Sequence, residues 1–139
     1  GIEQTLRHGI RHEEDPDTRF SAMPAFGRDG LLTSAQIDDL VQYVLSVSGH
    51  EANAAAVARG DELFLTNCAS CHGMDAEGSR DVGAPNLTDA DWLYGSDPED
   101  IRATITNARN SHMPAWQGRL DDATIKALAV YVHSLGGGE

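Results

Sequence analysis

Cys68-Ala69-Ser70-Cys71-His72 is the stretch on which the reading of this chain turns. Two thiols separated by two residues and followed at once by an imidazole have the spacing at which haem becomes covalently attached to protein. The thiols add across the two vinyl groups of the porphyrin, and the histidine is held under the iron as an axial ligand. Other uses of the same letters are weaker. A structural zinc site needs further Cys or His ligands in a second knuckle, and the chain has no cysteine besides Cys68 and Cys71. A thioredoxin-type pair sits at a strand-to-helix junction, but neither Val57 to Thr66 nor Gly73 to Arg80 reads as a strand. A disulfide across so short a spacing closes a very small loop and adds little stability. The expectation is therefore one covalent haem c per chain, held by Cys68, Cys71 and His72.

Composition narrows the class. With 139 residues, 40% of them hydrophobic, the chain can form one domain or one and a half small ones, with no room for a large catalytic fold. A formal charge of -12 makes nucleic acid a poor partner, because phosphate is repelled, and favours a basic or dipolar protein partner. The same acidity also serves solubility alone. No stretch reaches the roughly 20 apolar residues of a membrane span, and no signal peptide opens the chain. The first residue is Gly1 rather than Met, directly in an amphipathic pattern, so the chain reads as a piece of a longer protein.

Helical periodicity dominates and no alternating strand is evident, so the expected class is all-α. Ile2, Leu6 and Ile10 fall on one helical face. Thr33 or Ser34 reads as an N-cap for a helix bearing Ile37, Leu40, Val41, Val44 and Leu45, ended by Gly49. Residues 50 to 54 read as a linker and Ala55 to Thr66 as the next helix. A Gly-rich loop follows from Gly73 to Asn86, and Pro98 to Thr106 begin another helix. Asp121 or Asp122 caps a last helix through Val132, stopped by Gly136 to Gly138.

Outside the haem motif the two halves repeat. Ile2-Glu3-Gln4-Thr5-Leu6 matches Ile101-Arg102-Ala103-Thr104-Ile105, and Met23-Pro24-Ala25-Phe26 matches Met113-Pro114-Ala115-Trp116. Ile37, Leu40, Tyr43 and Val44 then match Ile125, Leu128, Tyr131 and Val132 without a gap. Only the second copy is preceded by a helix and Cys-x-x-Cys-His. The expected division is a C-terminal half-domain over residues 1–50, a linker over 51–54 and a complete mono-haem domain over 55–139. Met23 then has no iron of its own, and residues 1–50 expose an apolar face that carries a risk of self-association.

A second axial ligand must reach the opposite face of the ring, and Met113, in a Pro-containing loop between helices, is the candidate. A His/Met pair raises the reduction potential relative to two histidines. Core filler is the ordinary fate of a methionine, and His112 is the rival ligand. Arg80, Trp92 and Tyr94 carry N–H or O–H donors suited to the haem edge or its propionates; surface charge and core packing are the alternatives. Trp116 is expected to pack on the methionine side of the ring.

Residues 55 to 136 resemble the mono-haem class of cytochrome c domains. That resemblance implies a complete cytochrome c-like fold preceded by the half of another. It implies that Gly60 and Phe64 mark the crossing of the N- and C-terminal helices, with Phe64 on Leu128 and Tyr131. It also implies that Gly83-Ala84-Pro85-Asn86-Leu87 runs beneath the haem, with Leu87 among the cofactor-binding residues and the Pro85 carbonyl accepting the His72 ring proton. A closer resemblance, covering nearly the whole chain, is to the tandem di-haem subunit of the cbb-type haem-copper cytochrome c oxidases. It is carried by Arg7-His8-Gly9-Ile10-Arg11-His12, Met23-Pro24-Ala25-Phe26-Gly27, Cys68 to Gly73, Gly83 to Asp89 and Trp92-Leu93-Tyr94-Gly95. This implies an electron-entry module on the periplasmic face of the inner membrane, partnered by a periplasmic donor cytochrome and other oxidase subunits, and not itself an enzyme. The chain departs from that family in lacking the anchor and the first Cys-x-x-Cys-His. An independent soluble periplasmic cytochrome, and a haem sensor or peroxidase with an open distal position, are the alternatives.

Overall fold

The computed structural model describes residues 1–136. Among these residues there are six helices: α1 (Ile2–His8), α2 (Ser34–Val47), α3 (Ala54–Asn67), α4 (Ala69–His72), α5 (Pro98–Asn107) and α6 (Asp122–Ser134). Among the described residues there is no β-strand, only isolated bridge pairs, so the protein is all-α. Each long helix starts where the sequence supplies a cap. The Thr33 hydroxyl accepts from the Gln36 N–H while the Gln36 side chain accepts from the Thr33 N–H, a reciprocal capping box. Asn53 Oδ1 accepts from Ala56 N at 3.1 Å, and Asp121 Oδ1 from Thr124 N at 2.8 Å. Pro98 occupies the first turn of α5, where its missing N–H costs nothing. Of the expected stop over Gly136 to Gly138, only Gly136 is described, with a positive φ; the other two glycines lie outside the described residues.

The chain forms two compact units. One spans Met23–Arg109. Here α2 packs along α3 and against α5, burying Ile37, Leu40, Val41, Tyr43, Val44 and Leu45. Gly60 of α3 lies so close to α2 that a Cβ there would meet Tyr43 Cβ at 2.8 Å and the Asp39 carbonyl oxygen closer still. One turn on, the Phe64 ring is 1% exposed and 4.7 Å from the Tyr43 ring. Arg59 donates to both carboxylate oxygens of Asp39, at 2.9 and 2.6 Å, which fixes the rim of the α2–α3 contact. Arg102 of α5 is paired with Asp38 of α2 and donates to the Ser34 hydroxyl at 2.7 Å.

The other unit joins residues 1–22 to the chain from Asn110 onward. In it α1 packs on α6, with Arg7 bridging Glu3 and Asp122 at 2.7 and 2.6 Å. Ile10 and Met113 exchange backbone hydrogen bonds at 2.9 and 3.0 Å, and Trp116 N donates to Leu6 O at 3.0 Å. Gly9, with φ 68, is required where the chain passes the Met113 carbonyl: a Cβ would collide with Pro114 C at 2.8 Å.

These units cut across the expected division into 1–50, 51–54 and 55–139. Gly60 and Phe64 meet a C-terminal-type helix as expected, but it is α2 and not α6: Tyr43, not Tyr131, stacks on Phe64. The repeat explains the exchange. The α2 face that holds α3 resembles α6, but α2 carries Asp39, Val41 and Leu45 where α6 carries Ala127, Ala129 and His133. The copy with more apolar surface to bury takes the partner. The apolar face expected to be exposed on residues 1–50 is correspondingly buried in α2, leaving Phe20 and Leu31 as exposed large apolar side chains there. On α6, Val130, Tyr131 and Val132 are exposed, followed by Leu135.

Candidate haem-attachment site

Cys68 closes α3 and opens α4, a single turn that ends at His72 and stops at Gly73, whose φ is 79. Both cysteines are free thiols, Cys68 half-buried and Cys71 exposed. Beyond them the chain winds back on itself. Gly78 N donates to His72 O at 2.7 Å, Ser79 and Ala84 exchange bonds at 3.0 Å, and Leu87 N donates to Ala76 O at 2.8 Å. Gly78 has φ 80, and a Cβ there would meet Pro85 C at 2.6 Å, so glycine is needed for the loop to close. The closure brings the Pro85 carbonyl to 3.0 Å from His72 Nδ1. An Nδ1–H donating to that oxygen leaves Nε2 as the ring's ligating nitrogen.

The electrostatics follow from packing. Burial, with Cys71 nearby as the smaller cause, pushes the Cys68 thiol up to about 11. Burial also holds the His72 pKa below its ordinary value, opposed by the bond to Pro85, so the imidazole is kept neutral, the form that binds a metal. Phe64 lies behind it at 6.5 Å between ring centroids. Met23, Cys68, Ala69, Leu87 and Trp92 are partly buried against the same core cluster. Two thiols and an imidazole on one turn, beside half-buried apolar side chains, form the donor set and the greasy wall that a thioether-linked haem requires, and the residues present fit that group.

A family model described as "Cytochrome C oxidase, cbb3-type, subunit III" matches residues 55–132. The chain belongs to that family. Its relatives include cbb3-type cytochrome c oxidase subunit CcoP of Cereibacter sphaeroides, 56% identical over 99% of this chain and 48% of the relative. Subunit FixP of a Bradyrhizobium species is 53% identical over 99% and 48%, and CcoP of Rhodobacter capsulatus 51% identical over 99% and 49%. The chain thus spans about half the length of the curated relatives it matches. Among the described residues no helix is long and apolar enough to cross a membrane.

Within this cbb3 subunit III module the remaining expected site residues are distributed unevenly. Pro85 and Leu87 lie in the loop wound over His72, and Trp92 is half-buried with Nε1 donating to Asp89 O at 3.2 Å. Tyr94 is covered by the Arg109 guanidinium, 4.7 Å above its ring, and Arg80 is exposed in the same loop region. Met113 belongs to the unit of residues 1–22 and 110 onward, as does Trp116, whose ring faces the Arg119 guanidinium at 5.8 Å. His112 is exposed there, its ring 5.5 Å from that of His12. Met23 and Tyr43 lie in the unit that holds the haem motif; the repeat makes them equivalent to Met113 and Tyr131.

Proposed function

We propose that this chain is an electron-transfer module of a cbb3-type oxidase, carrying one haem c joined to Cys68 and Cys71. The observation that bears most weight is the geometry of His72: Nδ1 is engaged by the Pro85 carbonyl at 3.0 Å, and the two thiols share its turn. The haem supplies a one-electron iron couple; the chain orients and tunes it. Pro85 fixes the imidazole ring and raises its basicity. Leu87 and Trp92 would exclude water from the haem, and Arg80 and Tyr94 would serve as donors to its edge. A methionine of a Met-Pro-Ala loop, which the sequence pattern assigns to Met113, would serve as the second ligand. A methionine sulfur there favours the ferrous state and suits the high-potential end of a respiratory chain. The relatives' membership of an oxidase supports other oxidase subunits as partners, a periplasmic cytochrome as donor, and a periplasmic-face location, with oxygen reduction taking place elsewhere in the assembly.

The test is maturation of the chain in a host competent for c-type haem attachment. Mass spectrometry is expected to give one haem per chain, reversibly reduced, and the Cys68→Ser/Cys71→Ser variant is expected to carry none covalently. A wild-type chain that emerged colourless, or with both thiols still free, would overturn the proposal.

A further inference from the structure

We propose that His8, Asp15 and Asp17 form a binding site for a divalent cation of the zinc type, separate from the haem-attachment turn. His8 is the last residue of α1, and Asp15 and Asp17 stand in the loop that follows, all within the unit of residues 1–22 and 110 onward. One ligand atom from each side chain, an imidazole nitrogen and two carboxylate oxygens, falls within 4.8 Å of the others. His8 Nδ1 faces both oxygens of Asp15, at 3.2 and 3.1 Å. These two side chains are only 13% and 16% exposed, so neither has to be gathered from solvent. Ligands bound to one zinc ion stand about 3–3.5 Å apart. The His8–Asp15 pair already has that separation, and Asp17, which is exposed, closes the rest by turning its side chain.

A His–Asp hydrogen bond accounts for two of the three groups; the second carboxylate brought beside that pair points to a cation. Two like charges this close repel unless a positive charge stands with them. Among the described residues no lysine or arginine is paired with Asp15 or Asp17. The neighbouring Arg7 is taken by Glu3 and Asp122, and the Arg11 guanidinium donates to the Ser21 and Ser111 carbonyl oxygens. The loop also holds Asp15 in place: Asp15 N donates to His12 O at 3.0 Å, Thr18 N to Asp15 O at 3.2 Å, and Asp17 N to Asp15 Oδ1 at 2.9 Å. With Oδ1 so engaged, Oδ2 is left to ligate. The imidazole selects the metal. Calcium and magnesium take oxygen ligands, whereas one nitrogen with two carboxylates suits zinc, water filling the position left open. His8 binds through Nδ1 with its ring proton on Nε2.

The experiment titrates zinc chloride into the whole 139-residue chain, matured with haem so that the thiols do not compete. Calorimetry reads the affinity and X-ray absorption at the zinc edge reads the ligands. One zinc ion per chain is expected, with one imidazole among oxygen ligands and no displacement by equimolar calcium. His8→Ala is expected to weaken binding by more than about a hundredfold and Asp17→Asn by about tenfold or more. Asp17→Asn changes an exposed side chain and so decides the matter if His8→Ala fails to fold. The exposed His112 and His12, with rings 5.5 Å apart, are the competing pair. A shell of two imidazoles that is lost in His112→Ala overturns the inference. So does affinity unchanged in His8→Ala and Asp17→Asn, or zinc uptake equally weak in every variant. None of these outcomes touches the haem reading. If the wild type attaches no haem, the same titration of Cys68→Ser/Cys71→Ser tests the metal site by itself.

Discussion

At the haem motif, two thiols on one turn are treated differently by their surroundings. Cys68 ends α3 facing the core, and burial holds its proton up to about 11, whereas Cys71 points outward. Only the thiolate is nucleophilic, so reactivity follows the ease of ionisation and access. In the chain before haem attachment, iodoacetamide at mildly alkaline pH should modify Cys71 first, with Cys68 slower by about tenfold or more. Peptide mapping of partly alkylated protein reads the ratio, and equal rates would mean that Cys68 is not packed as described. The motif and the Gly-rich character of the loop were legible in the sequence, because a thioether spacing is a local requirement; the Pro85 partner came only with the family resemblance, since a carbonyl reaching Nδ1 from thirteen residues on depends on how the loop closes, with φ 80 at Gly78.

Helices were almost as legible as the motif, since caps and apolar spacing are also local. Thr33 and Asp121 begin α2 and α6 where the sequence marks them, and α3 starts at Ala54 behind Asn53, one residue before the expected start. Pairing between helices was not legible. Two copies of one helix carry similar faces, and they differ at Val41 and Leu45 against Ala129 and His133, and at Asp39, the partner of Arg59, against Ala127, differences in buried area and ion pairing that periodicity does not weigh. The choice is measurable. Tyr43 is 8% exposed and Tyr131 61%. Tyr43→Ala should therefore cost about 2–4 kcal/mol in denaturant unfolding, and Tyr131→Ala no more than about 0.5 kcal/mol. The reverse order would put α6, not α2, on Phe64. Gly60→Ala tests the same contact from the other side: the added methyl meets the Asp39 carbonyl and Tyr43 Cβ, at a cost of about 1–3 kcal/mol.

For the molecule as a whole, acidity has two consequences that act in the same direction at low pH. Asp15, Asp39, Asp121 and Asp122 all have pKa values held below the ordinary carboxylate range. The main causes are the Asp17 N–H at Asp15, the Arg59 guanidinium at Asp39, the Thr124 N–H at Asp121 and Lys126, then Arg7, at Asp122. A depressed folded-state pKa means that the unfolded chain takes up protons first as pH falls. The stabilising contribution is present in full above the ordinary aspartate value of 3.8 and is lost as pH drops through the lower folded-state values. Near neutrality the net charge of -12 opposes compaction. Moderate acidification relieves that repulsion until the isoelectric region near 4.7, below which protonated carboxylates leave the arginines and histidines unbalanced. Helicity by far-ultraviolet circular dichroism should therefore hold from neutral pH to about 4 and fall steeply below it. Loss beginning well above the isoelectric region would mean that titrating histidines, not these aspartates, govern the acid limit. Helicity unchanged well below 3.8 would mean that the capping and ion-pair contacts at Asp15, Asp39, Asp121 and Asp122 contribute nothing to the fold.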